Sequence, residues 1–309
     1  MKRLLLACGL AWAWSVAAQE APVPAALGGL DFNSDTEGFR SARARVGGLY
    51  RYDNPWSYSG VAAQATRYSQ GDYRKDVQAV LGVYRDQRRD NLSGIEAEVG
   101  VVTVGGHLRP IGDANWHIVP SPGAGIDLIL SADLVETRKA LDRAIGYTFA
   151  AVAVEKEVVP RLTLSALGGW QSFSDGNDRF HGRARLTWLA VPEHGVTMQL
   201  RYRRYSSSEE DVGGAYFNPS HHQQWLGVAA IRKRYAGWTF SGALGAGREQ
   251  SSSGGSQPSY LAEARAEGPL AGNARIVLRA GYTRAQGYAE GDDNYAYRSI
   301  GVGVVVPLR

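Results

Sequence analysis

Cysteine is almost absent: the single one, Cys8, lies in the apolar stretch at the start of the chain. If that stretch is removed, neither a disulfide nor a thiol-based site is available. No apolar run after residue 20 reaches the ~20 residues that a membrane helix needs, so a membrane-spanning form would have to be a closed barrel. Charge of one sign is also scarce. The formal net charge is +4 over 309 residues. No Lys/Arg run is long enough to form a phosphate stripe, which argues against a nucleic-acid binder. The 38 glycines form no GxGxxG or Walker pattern, so no nucleotide cofactor is expected.

The first residues read as a secretory signal, 1–18. Lys2 and Arg3 supply its positive end, 4–17 its apolar core, and Val16 and Ala18 the small-residue rule, with cleavage before Gln19. Residues 19–41 are rich in Pro, Gly, Ala and Asp, and are expected to be a periplasmic lead-in. Residues 42–309 carry the organising pattern, clearest in VTMQLRYRRY at 196–205. Val196, Met198, Leu200 and Tyr202 take one face of a strand, and Thr197, Gln199, Arg201 and Arg203 take the other. The same alternation recurs at 42–52, 56–68, 73–86, 92–104, 126–134, 147–157, 162–172, 180–189, 224–234, 238–249, 260–267, 274–284 and 297–306.

The expected fold is therefore all-β, a transmembrane antiparallel barrel of about 14 strands, several long enough to cross a bilayer when tilted. Residues 105–123, with three prolines, read as irregular. A hairpin hidden there would give 16 strands. If the C-terminus is periplasmic, the connections alternate long outside and short inside through nine turns back to residue 135, as outer-membrane barrels do. Tyr73, Trp170, Trp188, Tyr202, Trp225 and Trp238 are expected to form the girdles at the lipid interfaces. The location implied is the outer membrane of a Gram-negative cell, with lipopolysaccharide and outer-membrane lipid around the barrel.

By these registers the inward face carries Arg183, Arg185, Gln199, Arg201, Arg203, Glu263, Arg265, Arg275 and Arg279, with Glu96, Glu98 and Glu267 among them and Gln64, Gln78 and Gln171 besides. Such charges require a wet interior or pairing across it. Arg183 and Arg185 should lie beside Arg201 and Arg203, with Glu263 and Glu267 as the nearest acids. The polar reading is a conduit whose Arg and Gln contact hydroxyls or carboxylates; the plain one is a salt-bridged brace. No catalytic set stands out. His221 and His222 are adjacent and so point to opposite faces of a strand, which disfavours a metal site. His181 is expected in the lumen, not beside a serine at the lipid edge. Asp175-Gly176-Asn177-Asp178 reads as a turn. The expectation is no enzyme, no catalytic residue, no metal and no cofactor.

Several pieces between 136 and 249 resemble the C-terminal membrane barrel of bacterial exopolysaccharide exporters, the secretin-like porins for cellulose and poly-N-acetylglucosamine. They are ET-x-x-AL at 136–141, FSDGNDR at 173–179, RYRRYSSS at 201–208, YFNP at 216–219 and the GW turn at 237–238. The resemblance implies an outer-membrane conduit for a polysaccharide. Those exporters carry a tetratricopeptide array in the periplasm, where this chain has only 19–41. The implied partners are thus a separate periplasmic scaffold protein and an inner-membrane synthase. A general or solute-specific porin, or a non-transporting barrel that binds a partner through its outer loops, are the alternatives.

Overall fold

The computed structural model describes residues 23–209, 211–285 and 295–308. The expected leader and its cleavage point lie outside these, as does the outer connection expected at 286–294. The described chain forms strands β1 (Val23–Asp35), β2 (Arg40–Asn54), β3 (Ser57–Gln70), β4 (Tyr73–Gln87), β5 (Gly94–Val104), β6 (His107–Ser121), β7 (Ala124–Leu134) and β8 (Gly146–Val159). After these come β9 (Leu162–Phe173), β10 (Asp178–Val191), β11 (Val196–Ser207), β12 (His221–Tyr235), β13 (Trp238–Ser251), β14 (Gly255–Pro269), β15 (Arg275–Arg284) and β16 (Ala296–Pro307). One short α-helix, α1 (Arg138–Asp142), sits between β7 and β8, and a 3-10 turn, Pro192–His194, joins β10 to β11. Each strand pairs antiparallel with its neighbours in sequence, and β1 pairs with β16, so the sheet closes on itself. Closure leaves no unpaired edge.

The count of sixteen fits the expectation of about 14 strands with 16 possible, and the two beyond fourteen arise at 23–35 and within 105–123. Residues 23–35, read as a lead-in, are β1, which seals the barrel between β2 and β16. Residues 105–123 hide one strand rather than a hairpin. Gly105 and Gly106, at φ 56° and 80°, make a two-residue turn into β6. The prolines there are tolerated for local reasons. β6 pairs with β7 only from Gly112 onward, so Pro110 lies beyond that ladder, and Pro120 falls in the register shift between Ile118 and Ser121. A proline is accepted where the ladder is absent or bulged.

The two ends of the described chain lie together, where the Leu308 N–H donates to the Pro24 carbonyl at 2.7 Å. That end of the barrel is closed by short turns such as Ala236-Gly237, both at positive φ. The opposite, loop end carries the connections at 135–145, 174–177 and 208–220. Many outward side chains are apolar and exposed. Trp170, Trp225, Leu200 and Met198 are examples, and Trp188 lies at the turn end. Trp170 stacks on Phe180 at 6.0 Å and Tyr202 lies 4.4 Å from Trp225, a ring cluster toward the loop end. Tyr73 is a correction: it faces inward, under the Arg138 guanidinium. Gln78 is another, since it is exposed while its neighbours Val77 and Ala79 are buried.

Candidate functional site

The alternation that gives β10 and β11 their apolar outer faces also sets their inner ones. The register places Arg183 directly opposite Arg203 and Arg185 opposite Arg201. The four guanidinium groups, with Gln224 and Glu263, border a cavity of about 520 Å³ in the lumen. The expectation that these rows lie side by side is met. The expectation that Glu263 and Glu267 supply the nearest acids is met in part: Glu263 borders the same cavity and its charge acts on Arg201, whereas Glu267 is held by Arg265 and Arg275. Glu155, on β8, reaches across Ser165 to Arg185 at 3.5 Å and accepts from the Ser165 hydroxyl at 2.9 Å. Among the described residues Arg185 is the one member of the quartet with an ion pair. Arg201 donates to Gln199 at 2.9 Å, and Arg203 reaches the His222 imidazole at 3.5 Å. Like charges this close need water or an anion between them.

The other predicted lumen arginines are braced. Arg265 and Arg275 both grip Glu267, at 3.0 and 3.4 Å, and Arg279 holds Asp31 on β1 at 3.0 Å. The adjoining wall has the same kind of pairs, Arg45 with Glu98 and Arg85 with Glu96. Of the adjacent histidines, His221 is exposed, whereas His222 is buried and stacks on Tyr205 at 4.7 Å.

A plug closes part of the loop end. Thr137 caps α1 by accepting from the Ala140 N–H, and its hydroxyl donates to the Ala215 carbonyl at 2.5 Å. Leu141 is fully buried against the inner faces of β3, β4 and β5, where Ala62, Val77, Ala79, Leu81 and Val102 form an apolar wall. Ala140 packs the other way, onto Phe173, Ala215 and Tyr216. Next to α1, Glu136 accepts from Arg43 and from the Tyr68 hydroxyl, both at 3.1 Å. Burial raises its carboxyl pKa, and the Arg43 charge opposes that only in part.

The centre of the latch is Asn177, 1% exposed. Its amide nitrogen donates to the Tyr216 hydroxyl at 3.0 Å and to Asn218 at 2.9 Å, and its oxygen accepts from Ser208 and from the Glu209 N–H. Tyr216 donates in turn to Asp175 and stacks on Phe173 at 4.7 Å. Burial pushes the Tyr216 hydroxyl up to about 12. The turn reading of 175–178 thus missed its buried member. The pieces that carry the resemblance, at 136–141, 173–179 and 216–219, meet in this plug. Glu155 could have been read from the alternation of 147–157, whereas no local pattern announces Asn177 or Leu141.

No family model matches the chain, and no curated protein matches it. Among solved structures, a barrel described as a bacterial polysaccharide outer membrane secretin is similar, with TM-score 0.65 and 13% identity over 93% of this chain and 99% of that one. OccK7 of Pseudomonas aeruginosa gives TM-score 0.42 at 11% identity, over 93% and 98% of the two chains. The KdgM porin in complex with disordered oligogalacturonate gives 0.34 at 8%, over 91% and 99%. At these identities the likeness shows the fold, that of a closed outer-membrane-type β-barrel.

Proposed function

We propose that this chain is an outer-membrane conduit for a bacterial exopolysaccharide, with the 135–145 and 208–220 connections on the cell exterior, and that it is not an enzyme. The observation that carries the reading is the quartet of Arg183, Arg185, Arg201 and Arg203 around a lumen cavity of about 520 Å³ with one ion pair among them. A barrel that used its arginines only as struts would pair them, as it does at Arg265, Arg275 and Arg279. A guanidinium row with a single ion pair, facing a cavity, suits successive weak contacts with hydroxyls or carboxylates, which hold a polymer in line without trapping it. The similarity to a polysaccharide secretin barrel supports that cargo, and a separate periplasmic scaffold and an inner-membrane synthase would complete the export path.

Deleting the gene in its native host, then restoring it as wild type or as the quartet changed to Gln, tests the cargo. Polymer should stay in the periplasm without the chain, and release should fall with the quartet variant while the barrel stays heat-modifiable on a gel. Normal release in the deletion strain would remove export as the function. The solute-porin reading gains from one feature, the roughly equal claim that a small anion has on the same arginines. Conductance without polymer retention in the deletion strain would favour it.

A further inference from the structure

The outer face of the barrel has its own charged site, at the seam where the sheet closes. In register across β2, β1 and β16, Arg40, Ser34 and Arg298 form one row. One row toward the turn end the partners become Ala42, Phe32 and Ile300. Arg40, Arg67, Arg298 and Ser34 border a hollow of about 630 Å³ floored by Phe32 and Ile300. A second groove of about 480 Å³ shares Phe32 and Ile300 and continues over Leu278, Ala264, Ala266 and Ala280. Phe32 and Ile300 are 51% and 60% exposed. The small alanines give the groove its depth between larger side chains.

Two of the three arginines here have no carboxylate partner among the described residues. Arg67 is held by Asp76 at 2.8 and 3.1 Å. Arg40 and Arg298 are exposed and have no carboxylate partner among the described residues. Asp35 also borders the hollow, but its oxygens accept from the Phe39 N–H at 2.9 Å and the Tyr295 hydroxyl at 3.4 Å. Two arginines with no carboxylate partner among the described residues, flanking a hydroxyl, suit a phosphate, which guanidinium groups grip through paired N–H donors. A groove running straight from that point into an apolar band suits an acyl chain, and free phosphate would make no use of it.

We propose that this seam binds a phosphorylated, multiply acylated lipid of the lipid A class, its phosphate on Arg40, Ser34 and Arg298 and one acyl chain along Phe32, Ile300 and Ala280. The placement rests on the reading above that the loop end faces the lipopolysaccharide leaflet, but the contact itself can be tested without a membrane.

The experiment is native mass spectrometry of the detergent-solubilised, heat-modifiable barrel, titrated with bis-phosphorylated lipid A and with the same lipid after removal of its phosphates. Wild-type protein should retain the phosphorylated lipid about ten-fold better, the scale of one or two charge-assisted contacts. The R40Q/R298Q variant should lose that preference, and R204Q, an outward arginine elsewhere on the wall, should keep it. Ala280→Trp, which fills the groove, should weaken both lipids. Equal retention of the two lipids by wild type, or an unchanged preference in R40Q/R298Q, would overturn the site. If R40Q/R298Q does not fold, the wild-type preference together with the Ala280→Trp result decides. Lumen conductance of R40Q/R298Q should equal that of wild type, so failure here leaves the conduit reading untouched and the converse also holds.

Discussion

The lumen has two unlike walls. Under α1, the inner faces of β3, β4 and β5 are apolar: Ala62, Val77, Ala79, Leu81 and Val102 are all buried. Across β10 and β11 the inner face is a row of arginines, of which one has an ion pair among the described residues. The two walls come from the same alternating strands, so what separates them is what covers them. The first is capped by a segment that brings its own leucine, and burial of that leucine stabilises the closed end. The second faces a cavity, where a charge keeps its water and need not be paired. A barrel interior is therefore not simply the polar face of its strands. Under α1 it is apolar apart from paired charges such as Arg43 with Glu136, and across β10 and β11, beside the cavity, it is ionic.

Several changes would break that contrast. The largest effect is expected from Leu141→Asp, which buries a charge against the apolar wall and should release α1 from it. Protease cleavage at 135–145 should become fast, and conductance in a planar bilayer should rise. The milder Leu141→Ala should cost about 2–4 kcal/mol of plug stability, the usual range for a buried leucine, read as hydrogen exchange at α1. Asn177→Ala removes four hydrogen bonds and leaves buried partners unmatched. It should loosen the 208–220 connection by about 1–3 kcal/mol without affecting barrel assembly, which exchange at Tyr216 would report. The smallest effect concerns pH. Burial holds the Glu136 carboxyl above its ordinary value, so the plugged state binds more protons than the released one. Its stability is full below the ordinary carboxylate range and falls as pH rises toward the raised value. Exchange at α1 should thus quicken across that window, and Glu136→Gln should flatten the trend.

How much of this the sequence displays depends on what covers each strand. Strands with water on one side and lipid on the other, such as β10 and β11, show alternation that fixes both faces, and the opposition of Arg183 to Arg203 follows from it. β4 does not, because Val77, Ala79 and Leu81 are apolar toward the plug while Val80 and Tyr84 are apolar outward. Two apolar faces leave period two without a sign, which is why Gln78 was assigned to the wrong side. β1 is weakly marked because Ala25, Gly28 and Gly29 give it little contrast, and β6 because its prolines mimic a loop. The arginine row is legible, and so is the inward place of its partner Glu155 on β8, whereas the contacts around Asn177 depend on distant segments. Those contacts, such as Thr137 to Ala215, span 78 residues and leave no local trace.

The orientation reading is open to a separate check. Tags placed at 213 and 253 should be labelled on intact cells, and one at 236 should not. Reversed labelling would invert the topology.

The most direct test of the central claim is the ion selectivity of the lumen in a planar bilayer. It is best measured in the Asn177→Ala background, so that the plug does not limit current. With Arg183, Arg185, Arg201 and Arg203 intact the channel should prefer anions. With all four changed to Gln the barrel should remain folded and the preference should fall several-fold, as expected when positive charges that line a pore are removed. If the intact barrel carries no current and the quartet variant fails to fold, the arginines are struts and the conduit reading is contradicted.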